Sequence, residues 1–189
     1  MAQDLTLAGL CYPCSHHHRH AHDPGQAAGP LAGLFATYHR HSYTGCKPAS
    51  GDIIMGAAAL AADYSGIEKQ SHVRDKLAEL AATAELIYGA GIAASVNGKP
   101  ASSGTCVPNA VFCNVGRYHA GVSVMKEYEI LAEVAGGLPA TLPFEADFYN
   151  PDTAGYLSKY MMRRTGVSAE DQHRCFRLLG TCWPPHTAA

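Results

Sequence analysis

An all-α helical bundle is the fold class this sequence predicts, and three observations predict it. Apolar residues recur at helical spacing through most of the chain. No stretch alternates apolar and polar side chains as a half-buried strand would. Cap-forming residues stand where the helical patterns begin and stop. With 189 residues the chain can bury a core in one domain, or at most two small ones.

The elements follow in order. Residues 1–29 show no apolar period. They hold Cys11-Tyr12-Pro13-Cys14, a histidine-rich run from His16 to His22, and the loop-forming Asp23-Pro24-Gly25, so they read as an irregular, disordered leader. A helical domain is expected over 30–182 and a short tail over 183–189. Pro30 suits a first-turn position, and Leu31, Leu34, Phe35, Tyr38 and Ser42 follow at helical spacing. Gly45 and Pro48 are expected to break the last turn of that helix. Residues 51–64 are alanine-rich and apolar nearly all round, as in a fully buried helix. The clearest helix covers about 69–95, where Val73, Leu77, Leu80, Ala84 and Ile87 are spaced by four and three, with Arg74, Asp75, Lys76 and Glu79 on the other side.

A Gly, Ser and Pro loop spans 97–108, and another helix runs over about 109–135 with Val124, Tyr128, Leu131 and Ala135 in one stripe. Glu127 and Glu129 read as its wet face. Gly136-Gly137 stops it, and Pro139 and Pro143 keep the next segment extended, with Glu145 and Asp147 on a loop. Two shorter helices close the chain. Asn150 caps one before Pro151, and Ser168 with Asp171 forms a capping box for the other.

Composition removes several function classes. Fourteen Lys and Arg against sixteen Asp and Glu give a formal charge of −2, so a basic nucleic-acid footprint is absent. The longest apolar run, 53–62, falls far short of the ~20 residues that span a bilayer. No basic patch leads into an apolar segment at the N-terminus, so the expectation is a cytoplasmic chain without membrane attachment. Seven cysteines, an odd number, point to thiols rather than a disulfide framework. Cys106, Cys113, Cys175 and Cys182 read as packing residues. Cys11 and Cys14 with the histidine run read as a low-complexity leader that binds metals adventitiously, the other possibility being a small metal-binding protein centred there.

The stretch with chemistry is Tyr-His-Arg-His-Ser-Tyr-Thr-Gly-Cys-Lys at 38–47. At ~100° per residue, Tyr43 lies ~40° round the helix from His39, Cys46 ~20° to the other side and Lys47 ~80° round. An imidazole, a phenol, a thiol and an ammonium thus share one face. His39 and Cys46 can reach a single metal centre, and soft thiolate with imidazole suits zinc or an iron–sulfur cluster. The bland reading is a partly buried polar face whose side chains satisfy one another, because two ligands do not complete a tetrahedral site.

This decapeptide resembles the C-terminal helical half of the 4-hydroxybutyryl-CoA dehydratases, a branch of the flavin-dependent 4-hydroxyphenylacetate 3-hydroxylase family. Gly-Ala-Ala-Ala-Leu-Ala-Ala-Asp-Tyr at 56–64, Lys-Leu-Ala-Glu-Leu at 76–80, Ala-Gly-Gly-Leu-Pro-Ala-Thr-Leu-Pro at 135–143 and Glu-Ala-Asp-Phe at 145–148 extend the resemblance over about four-fifths of the chain. It implies an acyl-CoA-dehydrogenase-like bundle, a homotetramer, an acyl-CoA substrate, and FAD near a [4Fe–4S] cluster. The implied reaction is dehydration of 4-hydroxybutyryl-CoA to crotonyl-CoA, with vinylacetyl-CoA isomerisation beside it. His39 and Cys46 would be cluster ligands. His39, Tyr43 and Lys47 would be catalytic, and Gly136 and Gly137 would approach the flavin.

The family's N-terminal half, which supplies the other cluster cysteines and most of the flavin surface, has no counterpart here. The same holds for its terminal catalytic glutamate. The expectation is therefore a chain inactive by itself that needs a partner N-terminal half. The alternatives are the C-terminal domain of a hydroxylase-type oxidoreductase, since the hydroxylases lack a cluster, and a non-catalytic oligomerising or metal-binding remnant.

Overall fold

The computed structural model describes residues 24–101 and 104–182, with side chains from residue 28 onward. Cys11, Cys14, the histidine run and the 183–189 tail lie outside the described residues. The element order is α1 (Pro24–Tyr64), α2 (Ser71–Val96), a two-stranded antiparallel hairpin of β1 (Lys99–Pro100) and β2 (Cys106–Val107), α3 (Ala110–Ala135), α4 (Ala154–Tyr160) and α5 (Ala169–Cys182). Short 3-10 turns cover Leu138–Ala140 and Glu145–Phe148. The all-α reading holds, with the hairpin a small addition inside the expected loop.

Three boundaries differ from expectation. Helix α1 already begins at Pro24, where a loop and a leader were expected, because a proline in the first turn gives up no hydrogen bond. It also runs unbroken for 41 residues through Gly45 and Pro48, with Pro48 leaving the Thr44 carbonyl without its intrahelical donor. The Thr44 hydroxyl donates one turn back to the His41 carbonyl at 2.6 Å. Finally, α4 starts at Ala154 behind Thr153, not behind Asn150. The Asn150 side chain accepts instead from the Asp152 N–H at 3.0 Å, so the segment between them is a turn.

The ends at Ser168 and at Gly136-Gly137 behave as read, and Asn109 provides a cap that the spacing had not marked. Asn109 Oδ1 accepts from the N–H groups of Val111 and Phe112 at the start of α3, at 3.0 and 3.3 Å. Ser168 Oγ accepts from the Asp171 N–H at 3.0 Å at the start of α5. At the end of α3, Gly136 donates to the Glu133 carbonyl and Gly137 to that of Ala132, both at 3.1 Å, with φ of 69° and 74°. That is a Schellman stop, which needs glycine at its left-handed position.

The chain divides into two compact units, each made of two separate stretches of sequence: Met1–Lys47 with Leu86–Ala120, and Pro48–Glu85 with Gly121–Ala189. The second unit holds the larger core. Ala57, Ala58, Ala61 and Ala62 of α1 are almost wholly buried, as small side chains allow helices to approach, and Leu80, Ile130, Leu131, Val134, Phe176 and Leu179 fill the space around them. Residues 51–64 nevertheless bury one face only, since Asp52, Ile53, Gly56 and Asp63 are exposed. Glu127 is another correction: it is 3% exposed and partnered, not on the wet face, whereas Glu129 is exposed and pairs with Lys126 at 3.1 Å. Asp147 caps the 3-10 turn that it belongs to, accepting from the Phe144 N–H. Lys76 pairs with Glu133, and Arg164 with Asp63.

Helix α2 is long and apolar enough, by length and composition, to cross a bilayer, although its apolar residues form no long uninterrupted run. Its buried residues Val73, Leu80, Ala84, Ile87, Gly91 and Ala94 follow one helical stripe, while Leu86, Tyr88, Ile92 and Val96 are exposed.

The first unit is built around Thr44 of α1, which is 2% exposed. Gly91 of α2 and Gly116 of α3 face it so closely that a Cβ on either would come within 2.4–2.5 Å of its side chain. Ile87, Ala94, Cys113 and Ala120 are buried around it, as is Lys47. Leu31, Leu34 and Phe35, although at helical spacing, are exposed.

Candidate functional site

All four chemistry-bearing residues of the 38–47 motif lie on α1, inside the first unit. His39 is exposed, its ring stacked on Phe35 with centroids 5.5 Å apart and planes 8° from parallel. Tyr43, one turn on, is half-buried and lies beneath the Arg117 guanidinium, which sits 4.6 Å from its ring centroid. Cys46 is exposed, with Sγ 3.8 Å from the Tyr43 carbonyl oxygen, a weak contact at best. Lys47 is 5% exposed and engaged with a partner, so its ammonium is withdrawn from solvent.

Helix geometry therefore gives an accessible imidazole and an accessible thiol on one face, about 10 Å apart along the axis at ~1.5 Å per residue. No group of three or more His, Cys, Asp or Glu converges as a metal site among the described residues. The donor set fits an iron–sulfur cluster in kind, one imidazole and one thiolate, and in accessibility. It supplies two of four positions.

The other cysteines differ. Burial pushes the Cys175 thiol up to about 11 and that of Cys113 upward, so neither offers a thiolate readily. Cys113 and Cys175 are the packing residues expected, while Cys106 is exposed and Cys182 half-buried. Gly136 and Gly137 lie in the second unit. The turn after them, Leu138–Ala140, helps to line a cleft of about 300 Å³ with Leu142, Arg177, Gly180 and Thr181.

Sequence reading passed over the residues that support the α1 face. Asn114 Oδ1 accepts from Arg40 at 2.7 Å, Ser95 Oγ lies 3.4 Å from His41 Nε2, and Arg117 covers Tyr43. All three partners come from helices 50 to 80 residues away, where no local pattern marks them.

The profile of the family described as 4-hydroxyphenylacetate 3-hydroxylase C terminal matches residues 28–182, the greater part of the chain. The protein belongs to this family. Within the 4-hydroxyphenylacetate 3-hydroxylase family, the chain is 37% identical over 160 residues to the 4-hydroxybutyryl-CoA dehydratase/vinylacetyl-CoA-Δ-isomerase of Clostridium aminobutyricum, covering 80% of this chain and 33% of that one. It is 30% identical over 152 residues to a peptidyl-carrier-protein-dependent monooxygenase of Streptomyces globisporus, covering 79% of this chain and 29% of that one. An oxygen-tolerant archaeal 4-hydroxybutyryl-CoA dehydratase from N. maritimus superposes with a TM-score of 0.70 at 39% identity, covering 77% of this chain and 29% of that one. The oxygenase component of a 4-hydroxyphenylacetate 3-monooxygenase, solved with FAD, gives 0.71 at 25% identity, covering 79% and 31%. The chain thus spans about a third of the length of the relatives that it matches. Its bundle is that of the acyl-CoA-dehydrogenase-like hydroxylases and dehydratases.

Proposed function

We propose that this chain is the C-terminal module of a 4-hydroxybutyryl-CoA dehydratase-type enzyme, working as a homotetramer in the cytoplasm and completed by an N-terminal flavin half. The observation that carries the reading is the exposed His39 and Cys46 on one face of α1, two turns apart, with Tyr43 between them. In that role His39 and Cys46 would be two of the protein ligands of a [4Fe–4S] cluster, and Gly136-Gly137 would help to hold FAD.

Bound there, the cluster supplies Lewis acidity toward the γ-hydroxyl, and the flavin supplies one-electron chemistry that acidifies an otherwise inert β C–H. The chain's own residues do the rest. A ring nitrogen of His39, exposed to solvent on α1 beside Phe35, accepts the β proton. The Tyr43 hydroxyl donates to the thioester oxygen of the acyl-CoA, its ring steadied from above by Arg117. Lys47, withdrawn from water, places a positive charge where an anion develops.

A second reading, the C-terminal domain of a flavin-dependent hydroxylase, is favoured by the equally good superposition on the FAD-bound oxygenase. Metal retention separates the two. After anaerobic treatment with ferrous iron and sulfide in the presence of the N-terminal half, the assembly should show cluster absorbance near about 400 nm that is lost in Cys46→Ala and reduced in His39→Ala. Equal iron and absorbance in wild type and both variants would refute the dehydratase reading and leave the hydroxylase one.

A further inference from the structure

The chain is weakly acidic overall, yet its charges are segregated. Residues 24–47 and 86–120, the described part of the first unit apart from 102–103, contain no Asp or Glu, while they hold Arg40, Lys47, Lys99 and Arg117. Every described carboxylate belongs to the second unit. A surface whose described residues carry no counter-charge attracts anions, and guanidinium groups bind phosphate oxygens through paired N–H donors.

Two of these cations are arranged together. Arg40 of α1 donates to the side-chain oxygen of Asn114 on α3, and Arg117 of α3 lies over the ring of Tyr43 on α1. Tyr43 follows Arg40 by three residues and Arg117 follows Asn114 by three, so the contacts form two successive rungs across a pair of helices, about 5 Å apart along the axis. Each rung presents one guanidinium, from alternate helices. Both arginines are exposed. Both are steadied by a neutral group, an amide oxygen or an aromatic face, which fixes direction without neutralising charge. Among the described residues, Arg40 spends one donor on Asn114 and makes no other hydrogen bond.

We infer that Arg40 and Arg117 form a binding site for a diphosphate ester. One guanidinium takes each phosphoryl group, across the rungs between α1 and α3. A single carboxylate engages only one rung, whereas linked phosphates can engage both. The site stands on charge and geometry alone. Naming coenzyme A or FAD as the diphosphate's source rests on the proposed function.

Isothermal titration of the full chain with inorganic pyrophosphate, coenzyme A and FAD, at low and at physiological salt, tests this. Pyrophosphate should bind, more weakly as salt rises, and Arg40→Gln and Arg117→Gln should each weaken it about tenfold or more. Arg40→Lys should recover only part of the loss, because a point charge lacks the fork. Arg174→Gln, at an exposed arginine of the second unit, should change nothing. Whichever of coenzyme A and FAD shows the same arginine dependence identifies the source. Absence of pyrophosphate binding, or binding unchanged in both glutamine variants, overturns the inference. Circular dichroism checks folding, and if one variant unfolds the other decides. Loss of the cluster result would not touch this one, since pyrophosphate binding needs no iron.

Discussion

Thr44 offers a close test of the packing described above. An alanine at Gly116 would bring its Cβ to 2.5 Å from Thr44 Cγ2 and 3.2 Å from Ala90 Cβ. Carbon atoms rest at about 3.5–4.0 Å, so the methyl arrives about 1 Å too near a side chain that is 2% exposed and has nowhere open to turn. Thr44 must rotate, giving up its 2.6 Å hydrogen bond to the His41 carbonyl, or the helices must separate. Overpacking of this kind costs about 1–3 kcal/mol, and the better helix propensity of alanine returns up to about 1. Gly116→Ala should therefore destabilise by about 1–2 kcal/mol in urea unfolding of the whole chain.

Adding Thr44→Ser removes Cγ2 and should recover most of that loss. The contact made by a Cβ at Gly91 is different. It meets Thr44 Oγ1 at 2.4 Å, and serine keeps that oxygen, so Thr44→Ser should not rescue Gly91→Ala, whereas Thr44→Ala should relieve both. Gly116→Ala as stable as wild type, or Thr44→Ser rescuing the two glycine variants alike, would refute the close approach of these helices.

Two further outcomes follow from the second unit. Leu80→Ala, at a side chain 3% exposed in the main core, should cost about 2–5 kcal/mol, and a loss below about 1 kcal/mol would mean that the α2 stripe is not core. Cys175 should resist thiol reagents in the folded chain while Cys46 and Cys106 react. Its folded pKa, raised from 9.0 to about 11 by burial, means that it contributes stability below pH 9 which is lost as pH rises toward 11. Cys175→Ala should lack that part of the alkaline decline, and parallel stability curves from pH 9 to 11 would contradict the burial argument.

What was legible in the sequence was local. Three- and four-residue spacing located α2 and α3, because a single buried stripe such as Val73, Leu80, Ala84 and Ile87 writes its period directly into the chain. Ser168 and Asp171, and Gly136-Gly137, announced their helix ends because each satisfies backbone groups within a turn. Pro48 misled, since tertiary packing around Thr44 and the alanine face holds α1 together across a lost hydrogen bond. Glu127 misled because periodicity ranks a carboxylate as wet, while burial depends on which neighbours arrive from elsewhere. At the candidate site, His39, Tyr43, Cys46 and Lys47 share their helix as their spacing predicts. Arg117 and Asn114 could not have been foreseen, for no pattern links positions more than 70 residues apart.

The interleaving of the two units has a consequence for how the chain is made. Neither unit is a contiguous stretch, so no single cut releases one of them whole. As the polypeptide leaves the ribosome, the opening segment of the second unit is finished by residue 85. It must wait for everything beyond 121 before its core can close. The first unit closes earlier, once residue 120 has emerged, while α3 is still being extended. Half-built alanine-rich surface from 48–85 is thus exposed throughout that interval, and it is there that a nascent chain would most need a chaperone's shelter.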